Sequence, residues 1–202
     1  MDKIVLRGMA KWPNVPAVYG WLALDRRGQW LIKGGRITNR SVVAFIGRNY
    51  THDEHGRWFF QNGPQRVFVA LEYAPLVYRT TNPEHSSLEL ETHTGKPAST
   101  LRGAFIDENG VVLLETEHGV GNLHDNDLDR LLSSFVDAGN CSIDEDALDE
   151  LLELLTSGQS PAVWLQYRGH ATPVQPIRSS TVPGRFGFIA DPVAPAGPPE
   201  RR

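Results

Sequence analysis

The sequence predicts an α+β fold of two related lobes, built from antiparallel hairpins plus helices by internal duplication, with a predominantly antiparallel sheet. Three observations predict it. The same order of turn and helix signals occurs twice along the chain. Apolar runs alternate with polar residues and end at Asp, Asn and Gly, which is hairpin patterning. The 202 residues, 40% hydrophobic and 22% charged, suffice for a sizeable core or for two small lobes, and no regular strand-helix-strand rhythm calls for a parallel doubly wound sheet.

At the N-terminus, residues 1–12 carry charges throughout and contain no apolar stretch of signal-peptide length, which leads us to expect a cytoplasmic protein; Met9 offers an alternative start. Trp12-Pro13 and Val15-Pro16 favour extended chain. The first hairpin spans 22–32, with Asp25-Arg26-Arg27-Gly28 at its turn. Asp accepts hydrogen bonds from its own turn and Gly takes positive φ. Residues 37–46 read as a helix capped by Asn39, although Val42 and Val43 also suit a strand. Trp58-Phe59-Phe60, Asn62-Gly63-Pro64 and the run from Val67 form a second hairpin.

The echo begins at 104–114, where Asp107, Glu108, Asn109 and Gly110 match the turn at 25–28. Residues 123–132 match 37–46, with Asp125 placed to cap the second helix. Leu71-Glu72-Tyr73 pairs with Leu165-Gln166-Tyr167 as a third match. The second copy is longer, because Ser142 to Glu145 form a capping box ahead of Leu148, Leu151, Leu152 and Leu155, an amphipathic helix period. A segment from Val174 to Ile177 reads as an edge strand. The domain organisation expected is thus a basic lobe over 10–83, a connection over 84–98 in which Leu88 and Leu90 suit a short strand, an acidic lobe with two helices over 99–180, and an extended arm with a disordered tail over 181–202.

Charge separates the halves: residues 1–83 hold 12 Lys/Arg and 5 Asp/Glu, whereas 84–202 hold 8 and 19. Opposite fields attract either each other or different partners. The basic half mixes Arg26, Arg27, Lys33, Arg36, Arg40, Arg48, Arg57 and Arg66 with Trp30, Tyr50, Trp58 and Phe60. Arginine forks on phosphates and rings on bases suit RNA, single-stranded DNA or another anion, so Arg26, Arg27, Arg36, Arg40, Arg48, Arg57, Arg66 and Trp58 are the candidate binding residues. In a β-rich lobe, the competing reading puts the alternate rings in the core and the arginines in solvent. Trp12, Phe186 and Phe188 are candidate partner contacts.

Chemistry finds weaker signals. A single cysteine, Cys141, excludes an intrachain disulfide and multi-cysteine metal centres, and reads as an inert thiol. His52, Asp53, Glu54, His55 and His118, His124, Asp125, Asp127 hold potential ligands at unspecific spacing, better explained as turn and cap residues. No nucleophile elbow, phosphate loop or dinucleotide pattern is present. We expect no catalytic residue, no metal site and no cofactor.

The stretch from Lys11 to Leu22, with Gln61-Asn62-Gly63-Pro64-Gln65-Arg66-Val67 and Leu71-Glu72-Tyr73, resembles an uncharacterised family of proteobacterial proteins of unknown function. The resemblance covers about residues 10–80 and beyond; it implies a bacterial protein and brings no activity, ligand or site residue. The sequence therefore favours a non-catalytic, cytoplasmic binding or regulatory protein, forming a homodimer through an edge strand or the C-terminal arm. RNA or single-stranded DNA binding through the basic half is the alternative. A metal-assisted hydrolase using His52, His55, His118, His124 and Asp125 comes third.

Overall fold

The computed structural model describes residues 1–12, 15–81 and 88–195, and only the backbone of Glu145 and Asp146. The chain divides into two units, one of Met1–Asp25, Gln29–Glu72 and the segment from Phe188, the other of Arg26–Gly28 and Tyr73–Gly187.

The first unit holds α1 (Lys3–Lys11), β1 (Val18–Leu24), β2 (Trp30–Ile32), β3 (Gly35–Arg36), α2 (Arg40–Arg48), β4 (Tyr50–His52), β5 (Trp58–Asn62) and β6 (Gln65–Leu71). Its strands lie in the order β3-β2-β1-β6-β5-β4. Only β1 and β6, the first and last, run parallel. In the second unit, β7 (Leu76–Thr81) and β8 (Glu89–Thr92) precede β9 (Leu101–Asp107), β10 (Val112–Thr116), β11 (Gly119–Leu123), α3 (Leu128–Leu132), β12 (Phe135–Val136), α4 (Glu145–Thr156), β13 (Trp164–Tyr167), β14 (His170–Ile177) and α5 (Val182–Phe186). The order is β12-β13-β14-β9-β10-β11-β7-β8. Substituting β9 to β14 for β1 to β6 reproduces the first sheet strand for strand, down to the parallel pairing of β14 with β9. The two lobes are thus one topology used twice, with a β7–β8 hairpin added at one edge and α4 inserted between β12 and β13.

The duplication extends to single hydrogen bonds. At the first hairpin the Asp25 N–H donates to the Gln29 carbonyl (3.1 Å), the Gln29 N–H donates back to Asp25 Oδ1 (2.7 Å), and Gly28 sits at φ 74°. At the matching hairpin the Asp107 N–H donates to Val111 O (3.0 Å), and Oδ1 accepts from Asn109 and Val111 N–H (2.8 and 2.9 Å). Asp53 with Arg57, and Asp137 with Cys141, repeat this five-residue turn between β4 and β5 and after β12. The carboxylate satisfies turn N–H groups that a sheet cannot reach. Gly28 is further constrained, because a Cβ there would stand 2.7 Å from His93 Cβ.

The elements bear out some expectations and correct others. Leu165-Gln166 lies on β13, which corresponds to β5, so its counterpart is Phe60-Gln61 and not Leu71-Glu72; the Gln61 and Gln166 N–H groups bond Asn49 O and Ser134 O, each at 2.9 Å. Both helices exist, but α3 has Asp127 at its N-cap with no side-chain cap bond; in the 3₁₀ turn Asp125–Asp127 ahead of it, the Asn126 N–H donates to His124 Nδ1 (3.2 Å) and Asp125 Oδ1 (3.1 Å). Val42 and Val43 are helical. The segment 174–177 lies inside the sheet as part of β14, between β13 and β9, despite Pro173 and Pro176. The stretch 84–98 includes β8, while 82–87 lies outside the described residues. Residues 3–11, read without secondary structure, form α1, with Val5 buried. In the expected arm, α5 closes on Gly187, and the Leu71 N–H donates to Ala190 O (2.7 Å) in the first unit. The tail expected over 192–202 is described only to 195.

Asp107 is fully buried and accepts from the Tyr73 hydroxyl (2.6 Å) in addition to its turn bonds. Asp107→Ala should therefore cost about 2–4 kcal/mol in urea unfolding, more than Asp25→Ala, because it leaves a buried phenol and two turn N–H groups unsatisfied. Burial, with Lys96 nearby, pushes His93 down from 6.5 to about 3. The unfolded chain takes up this proton near pH 6.5 and the folded one does not, so stability is full above that pH and declines as pH falls toward 3. Between about pH 7 and about pH 5 the loss should be about 2 kcal/mol, and His93→Gln should remove most of that slope.

Candidate functional site: an open apolar cavity in the first lobe

On the face of the first sheet that carries α2, Leu22 pairs with Ile32, and β5 and β6 contribute Phe60 and Val67. α2 is started by Asn39, whose Oδ1 accepts from Ser41 and Val42 N–H (2.9 and 3.2 Å). It anchors through Phe45, packed edge-on against Phe60 with centroids 5.4 Å apart. Six strands span about 24 Å at the usual spacing, whereas nine helical residues extend about 14 Å. The helix cannot cover the face, and a cavity of about 490 Å³ remains, lined by Trp21, Leu22, Ile32, Val42, Phe60 and Val67 among others. Trp21, Ile32 and Val42 are 52%, 50% and 42% exposed. Large apolar groups left in water within one concavity mark a binding surface.

One cation stands at its edge. Lys33 places its ammonium 3.8 Å from the Trp21 ring centroid. It holds the first position of a two-residue turn, Lys33-Gly34, with φ 48° and 80° between paired Ile32 and Gly35. This turn type favours Asn or Gly there, so lysine holds the position at a conformational cost. Arg40 is exposed in the first turn of α2, where no acidic residue accompanies it.

The second lobe closes the same face. Ala104, Leu114, Leu165 and Val174 occupy the positions of Leu22, Ile32, Phe60 and Val69; all four are buried, as are Leu22, Phe60 and Val69, so the lobes differ at Ile32. α4 contacts β9 and β14. Thr172 and Val174 of β14 are buried while Pro173 and Gln175 are exposed, so α4 lies on the face of Val174. The first lobe has only the turn 53–57 where the second has α4.

A smaller cavity of about 350 Å³ includes Met9, Trp12, Gln61, Pro64 and Arg66 in its lining. Trp12 is 54% exposed. Gln61 is buried; its Nε2 donates to Gly63 O (2.8 Å), and its Oε1 has no partner among the described residues.

The arginines singled out by composition are dispersed into different local partnerships. Arg27 pairs with Asp125, Arg48 with Asp2 and Arg57 with Asp53. The hydrogen bonds from Arg48 and Arg27 hold the carboxyls of Asp2 and Asp125 below the usual range. Arg26 lies over Tyr73, Arg57 over Phe68 and Arg66 over Phe59, each within 4.9 Å of the ring centroid. Arg36 and Arg40 are exposed. Trp58 offers no free stacking face: it is buried against Tyr50 and His52, at 4.8 and 4.9 Å. Phe186 packs on Phe105, and Phe188 is buried.

His52 Nδ1 contacts the Asp53 carbonyl (3.0 Å), His55 is exposed, His118 contacts Pro97 O (2.9 Å), and His124 is a buried cap. Among the described residues no three His, Cys, Asp or Glu side chains are grouped to hold a metal ion. Cys141 is exposed in the Asp137 turn. No described helix is long and apolar enough to cross a membrane. The cavity residues were missed in the sequence because Trp21, Ile32 and Val42 read as ordinary strand and helix core; the missing counterpart of α4 was the available signal.

A DUF1285 family protein from Silicibacter pomeroyi DSS-3 shares the fold, at TM-score 0.54 and 16% identity over 81% of this chain and 85% of that one. A second DUF1285 family protein, from Shewanella baltica OS155, is 20% identical over 54% of this chain and 87% of that one, with TM-score 0.40. No curated protein matches. The family model DUF2944, described as "Protein of unknown function (DUF2946)", matches residues 1–193, and the chain belongs to that family.

Proposed function

We propose that this is a non-catalytic binding protein whose site is the open apolar cavity of the first lobe. The observation that carries the reading is a contrast at one position of the twin faces: Leu114 is fully buried in the second lobe, while its counterpart Ile32 is half exposed in the first, beside exposed Trp21 and Val42. Exposing such groups forgoes burial worth about 1.5–3 kcal/mol each, a loss that a ligand recovers. Titration with 8-anilinonaphthalene-1-sulfonate should give a saturable fluorescence rise. Val42→Glu should weaken that binding about tenfold or more while changing stability by under about 0.5 kcal/mol, since Val42 is a surface residue. Undiminished binding by the variant would contradict this reading.

A second reading, single-stranded RNA or DNA binding, draws support from the cavity lined by exposed Trp12 and Arg66. It combines a ring for stacking and a cation for phosphate. Anisotropy of a labelled single-stranded RNA should then rise at low salt, fall steeply as salt is added, and be lost in Arg66→Ala with Trp12→Ala. No anisotropy change at low salt would dismiss it.

A further inference from the structure

We infer that the occupant of the open cavity is an acidic amphipathic helix supplied by a partner protein. This inference rests on the binding reading above and names its ligand class.

The molecule carries its own template. In the second lobe the face formed by the first and last strands is covered by α4, whose Leu148, Leu151, Leu152 and Leu155 recur at helical spacing, with Leu155 buried. Its outer side presents exposed Asp149, Glu150 and Glu153. The first lobe builds the corresponding face on the same strand order and leaves it without that helix. The strands equivalent to those beneath α4 are β1 and β6, which supply Leu22 and Val67 to the cavity, and α2 supplies Val42 as one wall.

Charge selects among helices. Lys33 is held over Trp21 at the cavity edge, in a backbone conformation that lysine adopts at a cost. That position becomes favourable when an acidic side chain of a docked helix lies beside it. Residues 1–83 as a whole hold 12 basic and 5 acidic groups, so the long-range field steers the same class of partner.

The direct probe is a fluorescein-labelled peptide with the sequence of residues 144–157, titrated into the full-length protein. We expect saturable binding that weakens about tenfold or more in Val42→Glu and weakens as salt is raised toward about 1 M. A scrambled peptide of equal composition should bind at least about tenfold less tightly, because it lacks the leucine stripe. Equal binding of native-order and scrambled peptides, or no binding of either, overturns the helix inference. The dye titration separates the two levels: Val42-dependent dye binding without peptide binding removes the helix and leaves the cavity reading intact, whereas loss of both removes both.

Discussion

Each lobe is organised by the parallel pairing of its first strand with its last. Parallel neighbours cannot be joined by a hairpin, so the chain must leave one edge of the sheet and re-enter at the other, crossing a face on the way. Here the chain leaves from β3 and re-enters at β4, or leaves from β11, beside the added β7–β8 hairpin, and re-enters at β12, and α2 or α3 is the crossing. The crossing helix fixes which face is buried. It also fixes how much remains uncovered, because a short helix cannot shield six strands. The second lobe supplements a five-residue crossing helix with the twelve residues of α4. The first has nine residues and, between β4 and β5, no second helix. Local sequence thus sets helix length, helix length sets coverage, and coverage decides where apolar surface meets water.

Much of this was legible in the residues. The Asp-x-x-Gly pattern at 25–28 and 107–110 encodes a turn in which a carboxylate replaces missing backbone partners, and such chemistry is local enough to be read without a structure. The leucine period of α4 is equally local, although its cap is Asp144, whose Oδ1 accepts from the Ala147 N–H, and not the Ser142 of the expected capping box. What escaped was long-range. Matching Leu165 to Leu71 aligned similar letters, whereas strand pairing aligns Leu165 with Phe60 through equivalent hydrogen bonds to Asn49 and Ser134. The prolines of β14 argued for an edge and sit in the interior of the sheet, because its partners were fixed by topology and not by propensity.

The basic and aromatic composition of the first half shows a further limit. Residue type indicates what a side chain can bind, but burial and neighbouring charges decide what it does bind. Trp58 is consumed by the core, while Arg27, Arg48 and Arg57 have carboxylate partners nearby. The exposed pairs of Arg27 and Arg48 add little stability; the effect of all three is to spend the cationic field locally. The residues that remain conspicuous, Trp21, Ile32 and Val42, belong to types that carry no chemical motif and draw notice only when their exposure is known.

The central claim is that equivalent faces of two equivalent sheets differ in access to solvent. Methyl NMR with a water-soluble gadolinium chelate measures this directly on the intact protein. The account predicts strong broadening of the methyl signals of Ile32 and Val67 and sharp signals from Leu114, Leu165 and Val174. Equal protection of both sets would mean that the first face is covered, and would contradict the account.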